Sequence, residues 1–250
     1  MVQIKTAREL SLMKDACRIS AEALRAAGEA ICPGVSTKEI DTIVRHYIEK
    51  QGATPSFLGY GGFPASACIS VNNVVIHGIP DKTTILREGD IVSVDVGAYY
   101  KGYHGDNAYT FACGKISASA QRLLDATRES LYEGIKQATV GNRIGDIGSA
   151  VQRYVEARSY SVVRDYVGHG VGANLHEDPS VPNYGTPGRG LKLLPGMTIA
   201  IEPMVNEGAH HVRVLPDKWT VKTVDGKLSA HFEHTIAITP DGPKILTVCD

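Results

Sequence analysis

The stretch LREGDIVSVDVGAYYKGYHGDNAYTF, residues 86–111, decides the fold because it has the sequence of a β-hairpin. Residues 91–96 alternate side chains with a period near two in a β-rich composition, which predicts a strand. Lys101-Gly102 fits the two-residue turn that joins two such strands. The stretch therefore predicts one antiparallel hairpin with three cross-strand pairs: Tyr100 with Tyr103, Tyr99 with His104, and Gly97 with Asp106.

Two aspartates share one face of this hairpin. Because side chains alternate faces along a strand, Asp95 and Asp106 are diagonal neighbours on the same side. Two carboxylates crowded together are costly unless a cation or a shared proton compensates their charge. A solvated sheet face with two unrelated acids is the alternative. The hairpin alone does not decide between the two interpretations.

Composition narrows the class of protein. The 250 residues carry a net charge of −1, which gives no reason to expect nucleic-acid or membrane binding through bulk electrostatics. No apolar run approaches the roughly 20 residues of a membrane span, and no signal-peptide pattern is present. The five cysteines are widely spaced without a CxxC pair, which is typical of a reducing cytosol. No linker-like segment interrupts the chain, so we expect one cytoplasmic domain over residues 1–250.

Hydrophobic periodicity and turn residues predict the other elements. Thr6 and Ser36 are suitable N-caps, and Ser36 forms a capping box with Glu39. Residues 52–64 are rich in glycine, proline and aromatic side chains and are predicted to form a loop. Helices are predicted over residues 6–31, 36–50, 117–138 and 143–158. Strands are predicted over residues 67–71, 74–77, 162–167, 197–205, 211–215, 219–224 and 229–239.

The two halves of the chain resemble each other at an offset of 107 positions. PGVSTKEIDTIVRHYIEK, starting at Pro33, lies over VGNRIGDIGSAVQRYVEA, starting at Val140. At the same offset LREGDIVSVD lies over LLPGMTIAIE, so that Asp95 falls on Glu202. Two matches at one offset argue against chance. The sequence therefore predicts an α+β fold of two related halves, about 1–112 and 113–250, with helices on one face of a mostly antiparallel sheet and the site between the halves.

The second half supplies further residues that can bind a metal. His169 lies among glycines in VGHGVG, where small neighbours would let an ion or ligand approach, and His176 follows in LHEDP. Glu202 and Glu233 lie in apolar strand patterns, where a carboxylate needs a partner. Each residue also has an ordinary explanation as a loop histidine, a salt-bridged glutamate or an edge-strand residue. His77 lies at the end of a short strand and is a further candidate.

Taken together, the acids and the histidine have the composition of a metal site. Asp95, Asp106, Glu202 and Glu233 with His169 suit a pair of divalent ions bridged by shared carboxylates about 3.5–4 Å apart. The absence of a thiolate from this set argues against a structural zinc site. Such oxygen and imidazole ligands discriminate weakly among Co, Mn, Fe, Zn and Ni, so the identity of the metal stays open.

Several motifs, in order along nearly the whole chain, resemble the type I methionine aminopeptidases of bacterial type. They are VIHGIPD around His77, VDVG and YHGD around the two aspartates, GHGVG and LHEDP around the two histidines, IEP at Glu202, and FEHT at Glu233. The resemblance implies a "pita-bread" fold of two pseudo-symmetric halves around a dinuclear metal site. It also implies that the initiator methionine is removed from nascent proteins, at the ribosome, when the second residue is small.

The resemblance also implies roles for the polar residues. Asp95 would chelate one metal, His169 and Glu202 the other, and Asp106 and Glu233 would bridge both. A hydroxide held between the metals would attack the first peptide carbonyl. Glu202 would also pass a proton to the leaving amine. Two further contacts are implied, from His176 to the scissile carbonyl and from His77 to the peptide nitrogen.

The resemblance further implies an apolar pocket for the methionine side chain. Phe57, Leu175 and Phe63 depart from the cysteine, phenylalanine and tyrosine expected there, which changes the shape of the pocket and keeps it apolar. Ordinary core packing is an alternative explanation, above all for Cys68 and Trp219. The full set of expected walls is Phe57, Tyr60, Phe63, Cys68, Leu175 and Trp219.

Two other functions are alternatives: that of an Xaa-Pro peptidase and that of a non-catalytic binding protein. An Xaa-Pro aminopeptidase or dipeptidase shares the fold and metal set but usually carries a separate N-terminal domain, whereas the first helix of the repeat here begins near residue 6. Type II enzymes usually insert a helical segment before the last glutamate, and the spacing from His169 to Glu233 is too short for it. A non-catalytic binding protein on this fold would lack some ligands, and this chain keeps all five together with His77 and His176. We expect a monomer.

Overall fold

Helices occur in two pairs, one pair in each half of the chain, in the computed structural model, which describes residues 2–249. Thr6 and Ser36 cap the first two helices as predicted, and the structure adds a capping box of Thr6 with Glu9 to the predicted box of Ser36 with Glu39. The side chain of Ser117 accepts a hydrogen bond at the start of the third helix. The helices are α1 Ala7–Ala30, α2 Thr37–Lys50, α3 Ala118–Gln137 and α4 Ile144–Glu156.

The other regular elements of the described chain are antiparallel strands and one 3-10 turn at Tyr60–Gly62. The strands are β1 Thr54–Pro55, β2 Ala67–Val71, β3 Val74–Ile76, β4 Ile91–Tyr100, β5 Tyr103–Ala112, β6 Ser161–Val162, β7 Gly168–Gly170, β8 Glu177–Val181, β9 Thr198–Ile201, β10 Met204–Asn206, β11 Val212–Val214, β12 Val221–Thr223, β13 Ser229–His231, β14 Glu233–Thr239 and β15 Gly242–Ile245. The main sheet has the order β1-β4-β5-β14-β9-β7-β8, with β2 also paired to β4 and β15 to β14. Two smaller sheets have the orders β13-β10-β6 and β11-β12-β3. The predicted α+β class is confirmed.

The hairpin of β4 and β5 has the predicted register. Tyr100 pairs with Tyr103, and Gly97 pairs with Asp106. The turn residues Lys101 and Gly102 have φ angles of 49° and 90°. Positive φ at both positions is what a two-residue turn needs to follow the right-handed twist of its strands. The pair Tyr99 and His104 also forms as predicted.

Several strand boundaries differ from the sequence prediction. The predicted strand 197–205 is two strands, interrupted at Glu202-Pro203, because proline has no N–H for the ladder. The predicted strand 229–239 is interrupted at Phe232, and of the predicted strand 162–167 only Val162 lies in a strand, at the end of β6. Four strands are not predicted from the sequence: β1, β7, β8 and β15. Each contains glycine or proline, which have low strand propensity.

The internal repeat is present in the structure as well as in the sequence. The amide of Gly34 donates to Leu86 O at 2.8 Å, and the amide of Gly141, 107 positions later, donates to Leu193 O at 3.2 Å. Isolated bridges repeat at the same offset, joining Ser36 to Ile85 and Arg143 to Lys192. Each helix pair is therefore attached in the same way to the segment that leads into its carboxylate-bearing strand.

Each helix pair covers its own apolar cluster against the main sheet. One cluster combines α1 and α2 with the inner residues of β4, and the other combines α3 and α4 with β9 and β14. Tyr109 on β5 packs against both clusters, so the two cores meet at the central strands. Within residues 2–249, none of the helices has the length and apolar character to span a membrane.

Candidate active site

Three adjacent strands bring carboxylates together at the centre of the main sheet. Asp95 on β4 and Glu233 on β14 both lie opposite Ala108 on β5. Because the side chain of Ala108 is a single methyl group, space remains between the two carboxylates. Asp106 extends from β5 itself, and Glu202 follows directly after β9, which pairs with β14. The predicted acids therefore converge on one place.

His169 joins them from β7, between two glycines. A Cβ atom on Gly168 would lie 2.3 Å from Ala200 O, and one on Gly170 would lie 2.2 Å from Asp178 O. The glycines therefore let neighbouring strand backbones approach, whereas the sequence prediction assigned that space to a ligand. The imidazole instead faces the acids, with Nε2 at 3.7 Å from Asp106 Oδ2.

The tautomer of His169 suits a metal ligand. Its Nδ1 lies 2.8 Å from Gly170 O, and because a carbonyl only accepts hydrogen bonds, Nδ1 carries the proton. The lone pair is then on Nε2, which lies 3.5 Å from Glu202 Oε1 and faces the acid cluster. A backbone carbonyl that fixes the second nitrogen in this way is the usual partner of a metal-binding histidine.

Unpaired buried oxygens test whether a cation fits this site. Oδ1 of Asp95, Oδ1 of Asp106 and Oε1 of Glu233 are buried without a hydrogen-bond partner. Candidate ligand atoms of Asp106, His169 and Glu233 all lie within 4.8 Å of one another. Buried acceptors are almost always satisfied, so this group calls for a cation. Oxygen donors with one imidazole fit a divalent metal.

Burial shifts the pKa values of these groups towards their neutral forms, and a bound cation would return the carboxyl groups to their ionised forms. Burial raises the pKa of Asp106 to about 7. The pKa of Asp95 is raised well above its usual value by burial and by the adjacent charge of Asp106. Burial and neighbouring acids raise the pKa of Glu202 and of Glu233. Burial lowers the pKa of His169 to about 3, so its imidazole is neutral and free to bind a metal.

One cavity of about 220 Å³ contains every residue predicted for the site. Its walls include the metal candidates at one end and apolar side chains at the other. The predicted residues that line it are Phe57, Tyr60, Phe63, Cys68, His77, Asp95, Asp106, His169, Leu175, His176, Glu202, Trp219 and Glu233.

The apolar end of the cavity is a packed cluster. Phe57, Phe63, Cys68 and Leu175 are buried together, with Trp219 half-buried beside them. The rings of Phe63 and Trp219 meet edge to face with centroids 5.2 Å apart. Burial raises the pKa of the Cys68 thiol well above its usual value, so this side chain stays protonated and apolar. The replacements at Phe57, Phe63 and Leu175 leave this end fully hydrophobic.

Two histidines lie between the apolar end and the acids. His176 Nδ1 is 2.8 Å from the hydroxyl of Tyr60, and its ring centroid is 4.1 Å from that of His169. His77 has a left-handed φ of 56°, which is uncommon outside glycine and often marks a functional site. Burial, with a smaller effect of His176, lowers the pKa of His77 to about 4, so His77 is neutral at pH 7.

The structure adds residues that the sequence did not single out. Tyr166 lines the cavity, and its ring centroid lies 5.7 Å from that of His77. Buried His231 has Nε2 at 3.8 Å from Glu202 Oε2 and no hydrogen-bond partner for that nitrogen. The alternation of side chains could have found His231, because it lies two residues before Glu233. No local pattern distinguishes Tyr166 from a surface tyrosine.

Two further histidines, His104 and His234, form hydrogen bonds to residues outside the site. His104 Nδ1 lies 2.8 Å from Ser56 Oγ, and His234 Nδ1 lies 2.8 Å from Thr247 Oγ1. Neither is among the cavity-lining residues. By the alternation of side chains, His104 lies on the same face of β5 as Asp106, whereas His234 lies on the opposite face of β14 from Glu233.

Comparison with known proteins shows what this site belongs to. The model of metallopeptidase family M24 matches residues 11–240. The methionine aminopeptidase 1 of Bacillus subtilis is 54% identical over 247 residues, which cover 99% of each protein. The crystal structure of methionine aminopeptidase from Thermotoga maritima has a TM-score of 0.97 at 49% identity, again covering 99% of each chain.

A prolidase from Pyrococcus horikoshii is more distant. It has a TM-score of 0.80 at 25% identity, and the match covers 99% of this chain but 64% of that one. The predicted pita-bread fold is confirmed by these neighbours, and the Xaa-Pro alternative is the less similar of the two. The chain belongs to metallopeptidase family M24, among its methionine aminopeptidases, and is a metal-dependent hydrolase.

Proposed function

We propose that the chain removes the N-terminal methionine from nascent polypeptides whose second residue is small. One observation carries this proposal: an apolar pocket and a cluster of buried carboxylates form the two ends of a single cavity of about 220 Å³. An unbranched thioether side chain suits the apolar end. The first peptide bond would then lie beside the acids and histidines.

Five residues that line this cavity would hold the divalent metal, because they place unpaired carboxylate oxygens and one imidazole together: Asp95, Asp106, His169, Glu202 and Glu233. When bound, the metal would lower the pKa of a water molecule and polarise the peptide carbonyl.

The protein's own side chains would orient the substrate and move its protons. His176, held through Nδ1 by Tyr60, would present Nε2 to the scissile carbonyl. His77, neutral at pH 7, would contact the peptide nitrogen. Glu202, whose pKa is raised by burial, can take up a proton and release it to the departing amine. The free α-amino group of the substrate would bind near Asp95, which restricts cleavage to the first residue.

A small peptide panel tests the activity. Met-Ala-Ser and Ala-Pro would be offered to the purified chain with Co, Mn, Fe, Zn or Ni supplied in turn. We expect release of methionine from Met-Ala-Ser, loss of activity on chelation, and recovery with at least one of these ions. Cleavage of Ala-Pro without release of methionine would instead assign an Xaa-Pro peptidase. A chain that binds no divalent ion would be a binding protein.

A substitution tests the role of Glu202. Glu202→Ala should lower kcat by at least about 10²-fold, because the substrate loses its proton donor and one metal ion loses a ligand. Circular dichroism and thermal unfolding should match those of the wild type. Unfolding of the variant would mean that Glu202 is structural.

We further propose that the protein acts as a monomer in the cytoplasm, on chains emerging from the ribosome. The five cysteines, all of them free, suit a reducing compartment. Sedimentation of the purified chain would test the monomer, and co-sedimentation with ribosomes that carry nascent chains would test the contact. A stable dimer, or no binding above that of a control protein, would contradict these points.

A further inference from the structure

A buried ion pair joins the start of the chain to the loop that carries His176. The ammonium group of Lys5 contacts a carboxylate oxygen of Glu177, and the two side chains are only 4% and 5% exposed. The partners are 172 positions apart in sequence. We name residues 171–176 the His176 loop, and Glu177 follows it as the first residue of β8. The loop connects β7, which carries His169, to β8.

Lys5 is held firmly in place on its own side. Its backbone amide donates to Gly196 O at 2.7 Å, and the amide of Gly196 donates to Ile238 O at 2.9 Å, at the end of β14. The next residue, Thr6, is the N-cap of α1 and closes a capping box with Glu9. The ammonium group therefore extends from a segment fixed both to the main sheet and to a long helix.

Glu177 holds the His176 loop through its other oxygen. Oε1 accepts a hydrogen bond from the amide of Asn174 at 3.1 Å. The amide of Gly172 donates to Asn174 O at 3.0 Å, and Gly172 O accepts from the amide of His104 at 2.8 Å. A Cβ atom on Gly172 would lie 2.6 Å from Lys5 Nζ and 2.7 Å from Glu177 Oε1. The backbone therefore closes tightly around the ion pair.

Two cavity residues lie directly before Glu177. Leu175 is buried in the apolar end of the cavity, and His176 faces the acids. Because Glu177 is joined to them through the backbone, its position constrains theirs. A buried ion pair contributes little to stability compared with apolar residues of the same size, so stability alone is a weak reason for this one.

We propose that Lys5 and Glu177 form a positioning pair, which fixes Leu175 and His176 for the cleavage of the N-terminal methionine. The inference rests on the proposed function. Neither residue of the pair lines the cavity. Their effect is carried by the short backbone of the His176 loop.

Lys5→Met tests the pair, because methionine keeps most of the side-chain volume and removes the charge. We expect kcat/KM for Met-Ala-Ser to fall by roughly 10- to 100-fold, since small displacements of substrate-orienting groups cost this much. Affinity for Mn²⁺ should stay within about twofold of that of the wild type, because the metal candidates keep their positions. Gly172→Ala, which pushes the pair apart, should cause a loss of the same kind.

A double variant separates positioning from stability. Lys5→Met together with Glu177→Gln removes both charges, so no unpaired buried carboxylate is left and the stability lost by Lys5→Met should largely return. Its kcat/KM should remain low, because a neutral amide no longer holds the loop to the N-terminal segment. Lys101→Met is the matched control. It breaks an exposed pair with Asp15, whose side chains are 51% and 44% exposed, and should leave kcat/KM unchanged.

The outcomes distinguish this inference from the proposed function. If the wild type does not release methionine from Met-Ala-Ser, the proposed function is wrong. If the wild type is active and folded Lys5→Met, or the double variant, matches its kcat/KM, the positioning pair is wrong. A fall in Mn²⁺ affinity that parallels the loss of kcat/KM would also overturn it, because the pair would then act on the metal ligands.

Discussion

The smallest side chain at the centre of the sheet has a large effect on the site. Ala108 is 3% exposed and lies opposite both Asp95 and Glu233. Its methyl group leaves the space into which two carboxylates can direct their oxygens. Any β-branched residue there would fill that space with carbon. The size of residue 108 therefore limits the space available between the two carboxylates.

Ala108→Val should lower divalent-metal affinity by at least about tenfold, because the added methyl groups separate the two carboxylates. The metal affinity of the folded variant can be measured by titration calorimetry with Mn²⁺. Ala112→Val is the matched control, since Ala112 is exposed near the end of the same strand. Equal affinities for both variants would contradict a role for the space at Ala108.

At the scale of elements, features that depend on neighbouring residues are predicted from the sequence, whereas features that depend on long-range contacts are missed. The N-caps of α1 and α2 and the register of the β4–β5 hairpin depend on neighbouring residues, and the sequence predicts them correctly. The break at Glu202-Pro203 follows from a single proline, but hydrophobic alternation conceals it. The strands β7 and β8 are fixed by backbone approach between glycines and neighbouring strands, which no propensity scale records.

A group of hydrogen bonds at Asp81 attaches the segment before β4 to the start of α2. Asp81 O accepts a hydrogen bond from the amide of Lys38 at 3.1 Å, while its carboxylate accepts from the backbone and hydroxyl groups of Thr83 and Thr84. These hydrogen bonds, with those from the hydroxyls largest, lower the pKa of Asp81 to about 2. The ionised carboxylate therefore stabilises the folded state above the unfolded pKa of about 3.9.

This stabilisation should be lost as the pH falls from about 4 towards 2, because the folded carboxylate is then protonated. Asp81→Asn should be less stable than the wild type at pH 6 by about 1 kcal/mol, a small value because the group is partly exposed. The difference in unfolding free energy between the two should shrink over that pH range in urea titrations. A difference independent of pH would mean that the charge of Asp81 contributes nothing.

At the scale of the whole molecule, both halves contribute to one sheet. The first-half strand β5 lies directly beside the second-half strand β14, and Tyr109 packs against both apolar clusters. Neither half could bury its inner sheet edge without the other. We therefore propose that residues 1–250 unfold as a single domain.

Calorimetry tests this proposal. Thermal unfolding of the metal-free chain should give one transition, with a ratio of calorimetric to van't Hoff enthalpy close to one. A fragment of residues 1–112 should remain unfolded, because it lacks the neighbour of β5. Two separate transitions, or a folded fragment with dispersed amide resonances, would show that the halves are independent domains.

The sequence predicts the candidate site more fully than it predicts the complete fold. Asp95, Asp106 and Glu202 are found by alternation and by the internal repeat, because both are regular in sequence. The residues around them are predicted by neither of these signals. Lys5 meets Glu177 only through the tertiary fold, and nothing near either residue indicates its partner. Motif resemblance supplies the cavity walls for the same reason, since it carries information on contacts that periodicity lacks.

The repeat has a consequence for how such a site could arise. In the first half, β4 and β5 are joined by the two-residue turn at Lys101-Gly102. In the second half the equivalent connection, residues 207–228, is a long excursion that contains β11, β12 and Trp219. Gene duplication of an ancestral half-chain would give two matched carboxylate strands and no difference between the two sides. The lengthened connection places an indole on one side only. The two ends of the cavity therefore differ although the frame around them is duplicated.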